Sequence, residues 1–352
     1  MIEIRTFEGS AEELVSFTNR MWRRSYEGKM LCPQWSEKLF QRELFSPDAA
    51  DRPYLVAAYD GAKLVGSHPA RPIRIQLHGR EMAATWGSFL TVDPDYRGQR
   101  IAQRMQEEFV RRHRERQAAV DFGYLYLRSV RSMGPKFWLK QENLAIVKKT
   151  GMWLRALDHG AVARFELNRF ETWGTRFLSL FQPRPKPPRS RHGVRPYEPT
   201  DLPQCLQLVH EAGSKADLAY LWNSETFPNQ LDHPGLSSTV VGEEGGQLAG
   251  MVNYTLLPVL GRTLLTTGLI DLAAFAPGCS RKLRRRLLQA ALHRMILDGA
   301  QAAAMLRDGQ VGWADMFRAG FFPMVPEYYY CGTRMQEDIA LDGIRRMQVL
   351  WR

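Results

Sequence analysis

Cysteine is scarce, with four residues at positions 32, 205, 279 and 331 and no CxxC pair among them. That scarcity argues against a zinc ribbon and against a small disulfide-held fold, and it fits a reducing, cytoplasmic setting. Long hydrophobic runs are missing too. No window approaches the roughly 20 apolar residues that a membrane span requires, so no membrane partner is expected. The opening segment MIEIRTFEGSAEELV carries acidic side chains and lacks the basic stretch and apolar core of a secretory leader. With 44% hydrophobic and 24% charged residues, the composition excludes disordered and collagen-like classes.

What is present is length and positive charge. A chain of 352 residues exceeds what one core usually organises, so two domains are expected. The net charge of +11 favours an anionic partner, whether nucleic acid, acidic lipid or a phosphorylated cofactor. Residues 181–199, FQPRPKPPRSRHGVRPYEP, alternate proline with basic side chains, which disfavours both helix and central strand. The expected boundaries are a first domain over 1–180, a linker over 181–192, a second domain over 193–335 and a C-terminal segment over 336–352. That last segment mixes apolar and charged residues and reads as a packing or oligomer helix, which would allow a homodimer.

The first half reads β-α-β-β-β-α-β. Ser10 is an N-cap signal before Leu14, Phe17 and Met21 at helical spacing. Asp60-Gly61 marks a hairpin turn between two strands. A further strand is expected from Thr85 to Val92, then a helix from near Gly98, then the strand VDFGYLYLRS. After the linker the order recurs in outline, with a turn at Glu244-Gly245-Gly246, a helix RKLRRRLLQAALHRMILDG and a buried strand AQAAAMLRD. The recurrence suggests an internal duplication.

The stretch YRGQRIAQRM, residues 96–105, falls where a strand turns into a helix. A helix N-terminus offers unpaired N–H groups and a partial positive charge, which together favour an anion. Gly98 permits close backbone approach, Ala102 keeps the first turn slim, and Arg97 and Arg100 add cations that suit a diphosphate. The spacing matches neither the dinucleotide fingerprint nor the Walker loop.

At these residues the chain resembles the GNAT superfamily of acyl-CoA-dependent N-acyltransferases. Arg97-Gly98-Gln99-Arg100-Ile101-Ala102 matches the ends of the family's Arg/Gln-x-x-Gly-x-Gly/Ala motif, with Arg100 where glycine is usual, and LTVDPDYRG before it looks like the family's strand-to-motif junction. The resemblance implies an α/β (α+β mixed-sheet) fold with two GNAT-like acyl-CoA N-acyltransferase domains joined by the Pro/Arg-rich linker, the second degenerate. It also implies acetyl-CoA or another acyl-CoA as co-substrate, with no metal. The segment Leu90, Thr91 and Val92 would pair with the pantetheine arm through the N–H groups of Leu90 and Val92, and Gly98 to Ala102 would cradle the pyrophosphate. At Arg100 a side chain would crowd the diphosphate if the backbone there required a positive φ.

Catalytic residues are less legible. The family often has a Glu about thirteen residues before the motif Arg, where this chain has Ala84, so the alternatives are Glu81 and, on the adjoining strand, His68. The usual leaving-group tyrosine of an F-Y-x-K segment is replaced in Phe137-Trp138-Leu139-Lys140. An indole donates a hydrogen bond but is no acid at neutral pH, which leaves Tyr124, Tyr126 and Ser129 as donors near the cofactor. Trp22, Tyr26 and Trp35 occupy the region where family members vary their acceptor site. The leading expectation is direct acetyl transfer to a small-molecule or peptide amine. A non-catalytic acyl-CoA-binding or regulatory protein is the alternative. An aminoacyl-tRNA-dependent transferase ranks below both, because no RNA-reading motif accompanies the charge.

Overall fold

The computed structural model describes residues 1–45, 48–127, 132–167 and 193–351. Two mixed sheets organise them. The first runs in the order Ile2–Thr6, Leu55–Asp60, Lys63–Leu77, Arg80–Gly87, Val120–Tyr126, Tyr328–Arg334 and Leu144–Thr150. The second runs Val194–Pro196, Ser237–Glu244, Gln247–Leu260, Leu264–Phe275, Ala302–Leu306, Met152–Ala156 and Phe322–Pro323.

The local signals act as their chemistry dictates. Ser10 Oγ accepts the Glu13 N–H at 3.1 Å and opens helix Ala11–Tyr26, whose Leu14, Phe17 and Met21 are buried. Asp60 and Lys63 close the first hairpin over a left-handed Gly61. Glu244 and Gln247 close its counterpart over Gly245 and Gly246. Helix Arg281–Leu297 buries Leu283, Leu287 and Leu288 and turns Arg281, Lys282 and Arg285 to solvent.

Strand exchange between the halves was not legible in the sequence. Met152–Ala156 leaves the first sheet and pairs in the second with Ala302–Leu306 and Phe322–Pro323, whereas Tyr328–Arg334 returns to sit between Val120–Tyr126 and Leu144–Thr150. Smaller links run the same way. Cys32–Pro33 joins the edge of Gln247–Leu260, and Leu218–Tyr220 adds to Lys63–Leu77.

The C-terminal segment corrects an expectation, for residues 336–351 contain no helix. Met347–Gln348 pairs in parallel with Leu218–Tyr220, and Ile339, Leu341, Ile344 and Leu350 are buried. A left-handed Gly343 and the carboxylate of Asp217, which accepts the N–H groups of Arg345 and Arg346, hold this path instead of helical bonds. The Pro/Arg-rich linker lies outside the described residues, as does Ser129.

Candidate active site

The expected strand from Thr85 to Val92 is broken. Arg80–Gly87 runs parallel to Val120–Tyr126 for two residue pairs, Thr85 with Asp121 and Trp86 with Phe122, and then the strands part. A Cβ added to Gly123 would stand 2.7 Å from the Gly87 carbonyl oxygen, so the two backbones touch where they separate. Phe89 takes φ +62°, and the chain re-enters a strand only at Thr91–Val92, against Gly66 and Ser67.

Asp93 N–H donates to the Val65 carbonyl at 2.8 Å and Thr91 faces Ser67. Strand alternation therefore turns the N–H of Val92, and of Leu90 before it, toward the parted side. Trp22 Nε1 donates to Thr91 Oγ1 at 2.9 Å, and Arg24 binds Asp93 and Asp95 at 3.0 and 2.8 Å, so the long first helix pins this strand and the turn Pro94–Tyr96.

The cradle follows. Gly98 has φ +84° and Arg100 φ +57°, and helix Ile101–Glu115 starts directly after with no side-chain cap on Arg100. A left-handed backbone is what the motif's glycine would supply, and a non-glycine residue there costs roughly 1–2 kcal/mol. The Arg100 side chain does not fold back over the helix start. Its Nε donates to Gln103 Oε1 at 3.0 Å, along the exposed helix surface. Arg97 donates to Ser25 Oγ at 2.7 Å. Arg100 therefore does not cap the first helical N–H groups.

A cavity of about 680 Å³ opens from this cradle. Leu90, Thr91, Val92, Arg97, Gly98, Arg100, Ile101 and Ala102 all line it, as do Phe137, Trp138, Tyr124, Tyr126 and the aromatic trio Trp22, Tyr26 and Trp35. Gln99 is exposed and stays outside the lining. Glu81 is not brought to the site. It sits near the far end of its strand, opposite Gln76, with its side chain 67% exposed and 3.8 Å from Arg74. His68 is in the lining but buried, stacked on Phe109 at 4.0 Å and 5.5 Å from Trp138. Burial, with His113 close by, pushes its imidazole down to about 3, so it is neutral at working pH and too weak a base to deprotonate an ammonium.

The carboxyl that the sequence reading passed over is Asp121. It is buried, lines the cavity and stands in the last residue pair but one before the strands part. Thr85 Oγ1 donates to its Oδ1 at 2.7 Å, and a Cβ on Gly87 would lie 2.6 Å from both carboxylate oxygens. Burial pushes it up to about 7, against the opposing pull of the Thr85 hydroxyl and the Gly87 N–H. A carboxyl poised there exchanges protons near neutral pH. Its only sequence signal was an acid inside the apolar run VDFGYLYL.

Residues 9–132 match the family model described as "Acetyltransferase (GNAT) domain". No curated protein matches the chain. Among solved structures, Saccharomyces cerevisiae N-myristoyltransferase with bound myristoyl-CoA superposes with a TM-score of 0.74 at 15% identity, covering 100% of this chain and 89% of that one. A conserved protein from Enterococcus faecalis, described as a probable N-acyltransferase, gives 0.51 at 10% identity over 94% and 72%. At these identities the likeness is one of fold. The strand-to-helix junction at Arg97 to Ala102 thus lies inside a segment, residues 9–132, that matches a GNAT acetyltransferase domain.

Proposed function

We propose that the chain transfers an acyl group, acetyl as the starting case, from acyl-CoA to an amine by direct attack, with Asp121 as the proton acceptor. The observation that carries this reading is the sequence of parts along one cavity. A helix N-terminus with two arginines suits a diphosphate, a strand edge at Leu90 to Val92 suits pantetheine, and a buried carboxyl stands where the strands part.

The amine lone pair attacks the thioester carbonyl and forms the C–N bond. Asp121 takes the proton that the nitrogen sheds. The C–S bond then breaks with its electron pair on sulfur, which is protonated from Tyr124 or Tyr126 on the parted strand, and the tyrosine recovers its proton from solvent. Apart from the loss of the ammonium proton before attack, amide and free thiol balance amine and thioester.

Calorimetry with acetyl-CoA and thiol release over an amine panel test the proposal. Wild type binds acetyl-CoA and releases thiol, and Asp121→Asn keeps binding while losing at least about 100-fold in rate, the usual scale for a general base. Absence of acyl-CoA binding refutes the cradle. Binding without thiol release for any amine favours a regulatory acyl-CoA sensor.

A further inference from the structure

The cavity does not end at the parted strands; it continues over one face of the second sheet. On Leu264–Phe275 the residues Leu265, Thr267 and Leu269 line it, while Ile270 on the opposite face packs with Leu287, Leu288 and Met295 of helix Arg281–Leu297. Register makes the lining continuous. Leu257 pairs with Thr267, Thr267 with Ala302, and Ala302 with Ala156; one row further, Leu269 pairs with Ala304 and Ala304 with Leu154. Ala304 between Leu269 and Leu154, with Ala302 and Ala156 in the row beside it, shapes a trough.

This floor is apolar and closed to backbone recognition. Its four strands, Gln247–Leu260, Leu264–Phe275, Ala302–Leu306 and Met152–Ala156, each have a neighbour on both sides. Their N–H and C=O groups point along the sheet to those neighbours, so a peptide laid across the floor would find few main-chain partners. Apart from the hydroxyls of Thr267 and of Thr255, which pairs with Leu269, the two rows are apolar. What such a surface rewards is hydrocarbon area.

Charge separates the two ends of the cavity. Arg97 and Arg100 stand at the cradle end, whereas the lining on the second-sheet side carries one acid and one base, Glu166 and Arg155. That end has little to hold a nucleotide's phosphates. Resting on the acyl-transfer reading, we infer that the second-sheet floor is the acceptor site, and that the acceptor is a primary amine carrying an extended hydrocarbon body. The amine end reaches the parted strands at Asp121 and the chain lies in the alanine trough.

The test uses the full chain, a series of n-alkylamines from two to twelve carbons, and acyl-CoAs from two to fourteen. Each methylene added to the amine is expected to tighten KM and calorimetric Kd roughly fourfold until the floor is filled. Ala302→Trp fills the trough, so it should flatten that dependence while acetyl-CoA binding stays within twofold of wild type. Amine affinity independent of chain length overturns the inference, as does a chain-length gain confined to the acyl-CoA series. Because alkylamine binding is read directly, its chain-length dependence supports the site even if no thiol is released, an outcome that would count against the acyl-transfer reading alone.

Discussion

Asp121→Asn should make the protein more stable in alkali while disabling it. Burial raises the carboxyl from 3.8 to about 7. Three pH units at about 1.36 kcal/mol each make ionising it in the folded protein cost on the order of 4 kcal/mol. For a group whose folded value is raised, the neutral form's contribution is intact below the unfolded value near 4 and is lost as pH rises through about 7. Wild type therefore loses up to about 4 kcal/mol between pH 4 and pH 8 from this group, and the asparagine variant loses none of it. The carboxamide of that variant would keep an acceptor for the Thr85 hydroxyl, so the fold is preserved. Denaturant titrations of both proteins at half-unit intervals measure the gap, which should be smallest near pH 4 and level off above pH 8. Asp308, also buried and pushed up to about 7, titrates in the same window but cancels in the comparison. The groups around Asp121 that share its field are the hydroxyls of Thr85, Thr333 opposite it and Tyr330, with burial driving the tyrosine well above its usual value. A gap that does not change with pH would refute the reasoning, since the carboxyl would then be ionised in the folded state without penalty.

Arg100→Gly removes a left-handed arginine, which costs roughly 1–2 kcal/mol, and loosens the unfolded chain by roughly 0.4–1 kcal/mol. The net expectation is a gain of about 0.5–1 kcal/mol in a denaturant melt, with acetyl-CoA affinity lowered a few-fold at low salt and unchanged at high salt. Glu43→Ala should be costly. The buried Glu43 carboxylate accepts from Arg42 and Arg71, both at 2.7 Å, and Arg42 also reaches Thr255 in the second sheet at 3.3 Å. Removing the acid strands a buried guanidinium and should lower unfolding free energy by about 3–5 kcal/mol.

Elements with local grammar were readable in the sequence. Ser10, the Asp60-Gly61 turn, the Glu244 hairpin and the basic helix at 281–297 follow from capping, turn and periodicity rules that act over a few residues. The turn into a helix after Gly98 was readable as well, although the positive φ at Arg100 became visible only in the backbone. Pairing over long separations has no such grammar. Nothing in MWLRA says that it belongs beside Ala302–Leu306 rather than beside its neighbour Leu144–Thr150, because either site would bury it. Asp121 escaped for a related reason. The family pattern directs attention to the strand that contains Ala84, and the acid here comes from the next strand, opposite Thr85, a position that only the parallel register reveals. The apolar floor was equally silent, since a strand buried on both faces reads like any core strand.

The exchanged strands also bear on how the molecule is made and how it comes apart. Tyr328–Arg334 is an inner strand of the first sheet, and Met152–Ala156 an inner strand of the second. A nascent chain that has emerged only as far as residue 300 has a gap in one sheet and an extra strand with no partner for the other. Neither half can complete its sheet on the ribosome ahead of its companion. Cutting the backbone between residues 168 and 192 should accordingly leave two fragments that stay clasped in native buffer and separate only when both sheets unravel, so the nicked protein should keep running at its full size.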